Sequence, residues 1–149
     1  MPPVCGGDVM FGYKVTLFNY HAATKQWHTT LFDGVDLMGV DAKSATRQGE
    51  TNGSSVDLLI NVKPDKSYKG KQYLGPKAYA ATETPADCYT FTPETDFFME
   101  GDHSLPEPVS EDDYESGYYH EMNTVYDGVH MVVSAAYFQL IPHFEIGGR

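Results

Sequence analysis

Apolar and polar residues alternate along much of the chain in short runs, separated by turn-forming text. "YKVTLFNYH", Tyr13–His21, sets Val15, Leu17 and Asn19 on one face and Thr16, Phe18 and Tyr20 on the other, the period-two pattern of a strand. "WHTTLFDGVDLMGV" reads as a strand pair, Trp27 to Phe32 and Val35 to Val40. Asp33-Gly34 between them tolerates positive φ and suits a two-residue hairpin. A strongly bent or bulged single strand is the rival reading. "VDLLINV", Val56–Val62, gives the next strand, and Tyr89–Thr92 and Asp96–Glu100 follow on either side of Pro93. Val125-Tyr126 and Val129–Leu140 flank Asp127-Gly128, and His143–Ile146 completes the sheet.

The text between these runs sets the rest of the layout. Asp41–Ser55 is polar and contains Asn52-Gly53, so it reads as a loop or hairpin tip. Pro76–Ala81 suits a short helical turn opened by proline, closed by Thr82–Ala86. Residues 101–121 combine prolines, clustered acids and no periodicity, the composition of an acidic loop. Residues 1–12 read as a flexible N-terminal arm. No internal repeat of 20–50 residues is present. The expectation is a mainly β single domain over 1–149: a small β-barrel or sandwich of about seven strands, with long loops and at most one short helix.

Composition supports one folded unit. At 149 residues and 41% hydrophobic, the chain can bury a proper core without staples. Cys5 and Cys88 are too few for a disulfide scaffold and are expected to be reduced thiols. "MPPVCGGDVMFG" has no basic start and no sustained apolar core. The apolar run near Met131–Ile141 is broken by Ser134 and Gln139 and is too short to span a bilayer. A soluble chain made in the cytoplasm, with no membrane partner, is expected.

Charge is distributed unevenly. Residues 1–77 carry nine basic and seven acidic side chains, whereas residues 78–149 carry fourteen acids and only Arg149 as a base. The second half is therefore electronegative and poorly suited to binding DNA phosphates. Lys63, Lys66, Lys69, Lys71 and Lys77, interleaved with Tyr68 and Tyr73, form the one basic stretch. It reads as a solvated loop facing acidic surface rather than as a nucleic-acid site.

The pattern holds no recognisable catalytic or metal motif. Six histidines occur, but none stands in H-x-x-x-H or H-E-x-x-H spacing, and Cys-x-x-Cys is absent. Glu111-Asp112-Asp113-Tyr114-Glu115 lacks the spacing that wraps calcium. Neither Cys5 nor Cys88 has a local activating pattern, and G-x-S-x-G and phosphate loops are missing. No enzyme, cofactor or metal is expected.

"YKVTLFNYH", Trp27, "YLGPKAY", "TFTPETDFFMEGD" and the ending "LIPHFEIGGR" occur here in an order that resembles a small family encoded by tailed phages and prophages. The strand layout is also similar to that of head-closure (stopper) proteins. The resemblance implies a non-enzymatic virion protein, assembled in the host bacterial cytoplasm and located at the neck. It would form a homo-oligomeric ring, six- or twelve-fold, between portal or adaptor and tail proteins. DNA would meet it only in passage, without specific binding.

Two sites follow as expectations. His143, Phe144, Gly147, Gly148 and Arg149 would form a subunit interface, the last strand meeting its neighbour's edge and the glycines allowing close backbone approach. Glu111, Asp112, Asp113 and Glu115 would face the channel and repel DNA. Alternatives are a tail-terminator or capsid-decoration subunit, or a β-sandwich module binding a host ligand; a metal-dependent hydrolase ranks third.

Overall fold

The computed structural model describes residues 13–39 and 55–149. The arm expected over 1–12, with Cys5, lies outside the described residues, as does nearly all of the loop expected over 41–55. Among the described residues, nine strands and two α-helices occur in chain order: β1 (Tyr13–His21), β2 (Gln26–Gly39), β3 (Val56–Ile60), β4 (Gln72–Tyr73), α1 (Pro76–Ala81), β5 (Cys88–Tyr89), β6 (Phe97–Glu100), β7 (Val109–Ser110), α2 (Tyr118–Val125), β8 (Val129–Phe138) and β9 (His143–Gly148).

Pairing runs β1-β6-β8-β9-β3-β2, and β2 pairs back onto β1. These six strands therefore close an antiparallel barrel, and β7 adds to β2 outside the ring. Closure removes the free edges that an open sheet of this size would expose.

One strand does the corner-turning. The text predicted to be a hairpin at Asp33-Gly34 is instead a single fourteen-residue strand, β2. It pairs with β1 through Val35 and with β3 from Asp36 onward. Tyr13 faces Val35 and Lys14 faces Asp33, leaving Gly34 as the extra residue, at φ 64°. A glycine bulge bends the strand across the barrel corner, where a hairpin would have reversed it.

The pleat then sorts two cores. Val15, Leu17, Phe32, Val35, Leu58, Phe98, Phe144 and Ile146 fill the barrel interior. On the outer face of β1, β2 and β6, Phe18, Trp27, Phe97 and Met99 are covered by Tyr118 of α2. Phe18 stacks on Phe97 with ring centroids 4.5 Å apart, and Trp27 meets the Phe97 edge at 5.1 Å. Each such ring contributes about 1.5–3 kcal/mol by leaving water. This second layer explains why Phe18, on the face opposite Leu17, is as buried as Leu17 itself.

The segment expected to be an acidic loop, 101–121, is more ordered than its composition suggested. It contains β7, a 3-10 turn over Glu111–Asp113 and the start of α2. The helix proposed at Pro76–Ala81 is present, with proline in its first turn.

Candidate functional site

The last strand was expected to meet a neighbouring subunit's edge. The structure corrects that geometry: β9 is hydrogen-bonded to β3 on one side and β8 on the other. Phe144, Gly147 and Gly148 are buried in the barrel wall. Backbone bonds between Arg149 and Met131 extend the same ladder in both directions, at 3.0 and 3.1 Å. The Arg149 guanidinium grips both Glu94 oxygens, each at 3.0 Å, holding that carboxyl below its usual range through hydrogen bonds and charge. His143 stacks on Phe138 and bonds Glu145 at 3.0 Å. No backbone edge is left on β9 for another strand to join.

The four acids expected to face a channel divide in role. Glu111 Oε1 accepts from the Trp27 indole N–H at 2.7 Å and from the Tyr118 backbone N–H at 3.0 Å. It thereby ties β2 to the first turn of α2, satisfying a helix N–H that has no intrahelical partner. Asp112, Asp113 and Glu115 are exposed, and Asp112 stands 4.0 Å from Lys25.

A polar cluster lies inside the barrel end where β1 finishes and β2 begins. Asp96 is fully buried and accepts from Asn19 Nδ2 (2.8 Å), Tyr20 N (3.0 Å) and Thr92 N (2.9 Å). Burial pushes its carboxyl up to about 6, while these donors pull it down. His21 Nε2 donates to the Thr82 carbonyl at 3.0 Å, tying α1's end to the barrel. Opposite Asn19, His28 is buried with its Nε2 unpartnered, and burial holds the pKa of its imidazolium below the ordinary histidine value. His28 also lines a cavity of about 290 Å³ with Thr29, Lys71, Leu105, Pro106 and Glu107. Lys71 Nζ donates to the Thr29 carbonyl, so the amine is already engaged.

Ser104 Oγ donates to Asp102 at 2.7 Å, and its backbone N–H donates to the same oxygen at 3.1 Å. That is an Asx-type turn, which uses the hydroxyl as a fastening. His103, between them, turns its Nε2 to the Glu100 carbonyl at 3.1 Å rather than to Ser104. Cys88 is free and buried. Among the described residues no group of three or more His, Cys, Asp or Glu side chains is placed to hold a metal ion. His130 pairs with Glu100 at 2.8 Å and packs its ring on Phe98. No helix among the described residues is long and apolar enough to cross a membrane.

The surface is more informative than the interior. β8 and β9 continue past the barrel wall as a hairpin whose turn carries Leu140, 95% exposed, and Ile141, 74% exposed, beside Phe138. Pro142 of this turn shares a surface hollow with Lys63, Lys66 and Tyr68. At the opposite end of β8, Val125 and Tyr126 are exposed beside Asp127.

Sequence reasoning missed the hairpin tip. Its signal was Leu140-Ile141-Pro142 standing where a turn normally carries polar residues. It also missed the brace formed by Glu111 and Trp27, which sequence cannot show because 84 positions separate them.

No curated protein and no solved structure matches the chain significantly. The profile of a family of unknown function matches residues 11–149. The chain thus belongs to that family, DUF6751.

Proposed function

We propose that this is a non-enzymatic structural protein of a tailed-phage virion, the head-closure ring of the neck. It would connect portal or adaptor to tail and line the DNA route. The observation that carries the reading is a closed barrel from which an apolar hairpin tip projects. The closed barrel wall offers no strand edge for assembly, and the edges outside it, on β7 and the β4–β5 pair, are two residues long, so contacts fall to projections and side-chain surfaces. An isolated exposed leucine is ordinary, but Phe138, Leu140 and Ile141 together on one projection suit a protein contact.

The ordered segments that resemble the phage family support the same reading. "YKVTLFNYH" is β1, and "LIPHFEIGGR" is the tip with β9. In a ring, the exposed Asp112, Asp113 and Glu115 would be multiplied around the channel.

Electron microscopy of particles labelled with an antibody to this protein tests the assignment. Label at the head–tail junction is expected. Label scattered over the capsid surface, or particles without the protein, would reject the neck.

A further inference from the structure

We propose that the β8–β9 hairpin tip docks head-to-tail on a second copy of this chain, against the patch formed by Val125 and Tyr126 at the end of α2. The inference rests on the assembly half of the proposed function and is independent of the virion setting.

The two surfaces lie at opposite ends of one strand. β8 spans ten residues between them, which is roughly 30 Å at an ordinary strand rise. One chain therefore cannot join its own tip to its own patch. A contact between different surfaces of successive copies is heterologous, and such contacts generate rings when the rotation closes.

Both surfaces are apolar at the centre, and their rims are opposite in charge. Leu140 and Ile141 form the tip, with Lys63 and Lys66 beside Pro142, outnumbering Asp65 in that loop, while Glu145, the acid of β9 near the turn, is engaged by His143 at 3.0 Å. At the other end, Val125 is 57% and Tyr126 45% exposed. Exposed Glu121 and Asp127 flank them in the chain. The His103 ring meets Tyr126 edge-on at 5.3 Å, bringing Asp102 to the same region. Lys14 is the cation whose charge reaches Asp102 there. Tip-to-tip pairing would instead oppose the lysines of both copies. Complementary rims select the head-to-tail partner and suppress the symmetric one.

The test is photo-crosslinking of the full chain, with a benzophenone amino acid replacing Leu140, in a mixture of isotope-labelled and unlabelled protein. Mixed-label adducts joining the tip to residues 121–127 are expected. Lys63→Glu with Lys66→Glu should lower their yield by about tenfold, the scale of two exposed pairs. A partner carrying Glu121→Lys and Asp127→Lys should restore it. No mixed-label adduct at the highest soluble concentration would overturn the proposal. So would adducts from tip to tip, or to any other stretch, residues 1–12 and 40–54 included. A homotypic adduct from a protein absent from virions would keep the contact and reject the neck. Neck labelling with the tip joined to another protein's peptide would do the reverse.

Discussion

Gly148 lies against Phe98 so closely that a Cβ built on it would stand 2.8 Å from the ring's Cζ. His130 Cβ would be 3.0 Å away on another side. Phe98 is fully buried in the barrel interior, so its ring has little room to retreat. The terminal glycine is therefore a packing requirement within the chain.

Gly148→Ala should destabilise the fold by about 1–3 kcal/mol, the range of overpacked cores, read as a lower urea midpoint at unchanged slope. Gly39→Ala is the control: no described residue lies within 4 Å of a Cβ there, and a change within about 0.5 kcal/mol is expected. Deleting Phe144–Arg149 should abolish cooperative unfolding, because it opens the barrel between β3 and β8. Equal tolerance of both alanine variants would show that Gly148 is not under this constraint.

Glu111 offers a second check. Glu111→Ala removes the acceptor of the Trp27 indole and the Tyr118 backbone N–H. Leaving such donors unpaired in a half-buried site should cost about 1–3 kcal/mol. Glu111→Gln keeps a carbonyl oxygen and should cost less. The chain has one tryptophan, so its emission reports this site alone and should shift in the alanine variant. An unchanged spectrum with unchanged stability would remove Glu111 from its bracing role.

The barrel's wall was legible in the sequence because period-two alternation survives wherever one face is core. β1 and β3 begin where the pattern put them, and β9 runs only two residues past its predicted end. The course of β2 was left between two readings, since Asp33-Gly34 satisfies a hairpin and a bulge equally well. Only tertiary pairing with β3 decides that Gly34 bends the chain without reversing it. Helix α2 was hidden because its text is polar and opens on Gly117 at φ 94°, without a side-chain cap. The tyrosines that hold it in place do so by packing on Phe97 and Trp27. Buried Asp96 was equally invisible: its donors come from β1 and from Thr92, just before Pro93.

That carboxyl gives the chain a pH signature. Its folded value, about 6, lies above the ordinary 3.8. The folded state thus binds its proton more tightly than the unfolded chain. This contribution is fully present below pH about 4 and is lost as pH rises through about 6. His28 acts oppositely: its lowered value favours the fold above its ordinary 6.5, and the benefit is lost as pH falls. Comparison with Asp96→Asn isolates the carboxyl. The stability gap in favour of the unsubstituted protein should widen as pH falls from about 7 to about 4, by at most about 3 kcal/mol. A gap independent of pH would show that the three N–H donors hold Asp96 near its ordinary value.

The exposed acids supply the prediction that bears on the virion. Asp112, Asp113 and Glu115 lie at the surface and, unlike Glu111, brace no buried donor. Replacing the three by lysine should leave the unfolding midpoint within about 0.5 kcal/mol, as is usual for surface sites. If they line the channel, as proposed, the reversed charge should attract DNA phosphates and slow genome release. The delay should be greatest at low salt, since the Debye length grows to about 30 Å at 0.01 M. Particle yield should be unchanged, because these side chains make few packing contacts. Ejection from purified particles, followed by dye binding to released DNA at two salt concentrations, measures the effect. Release at the original rate under both conditions would place the three acids on the outer rim, where they serve solubility alone.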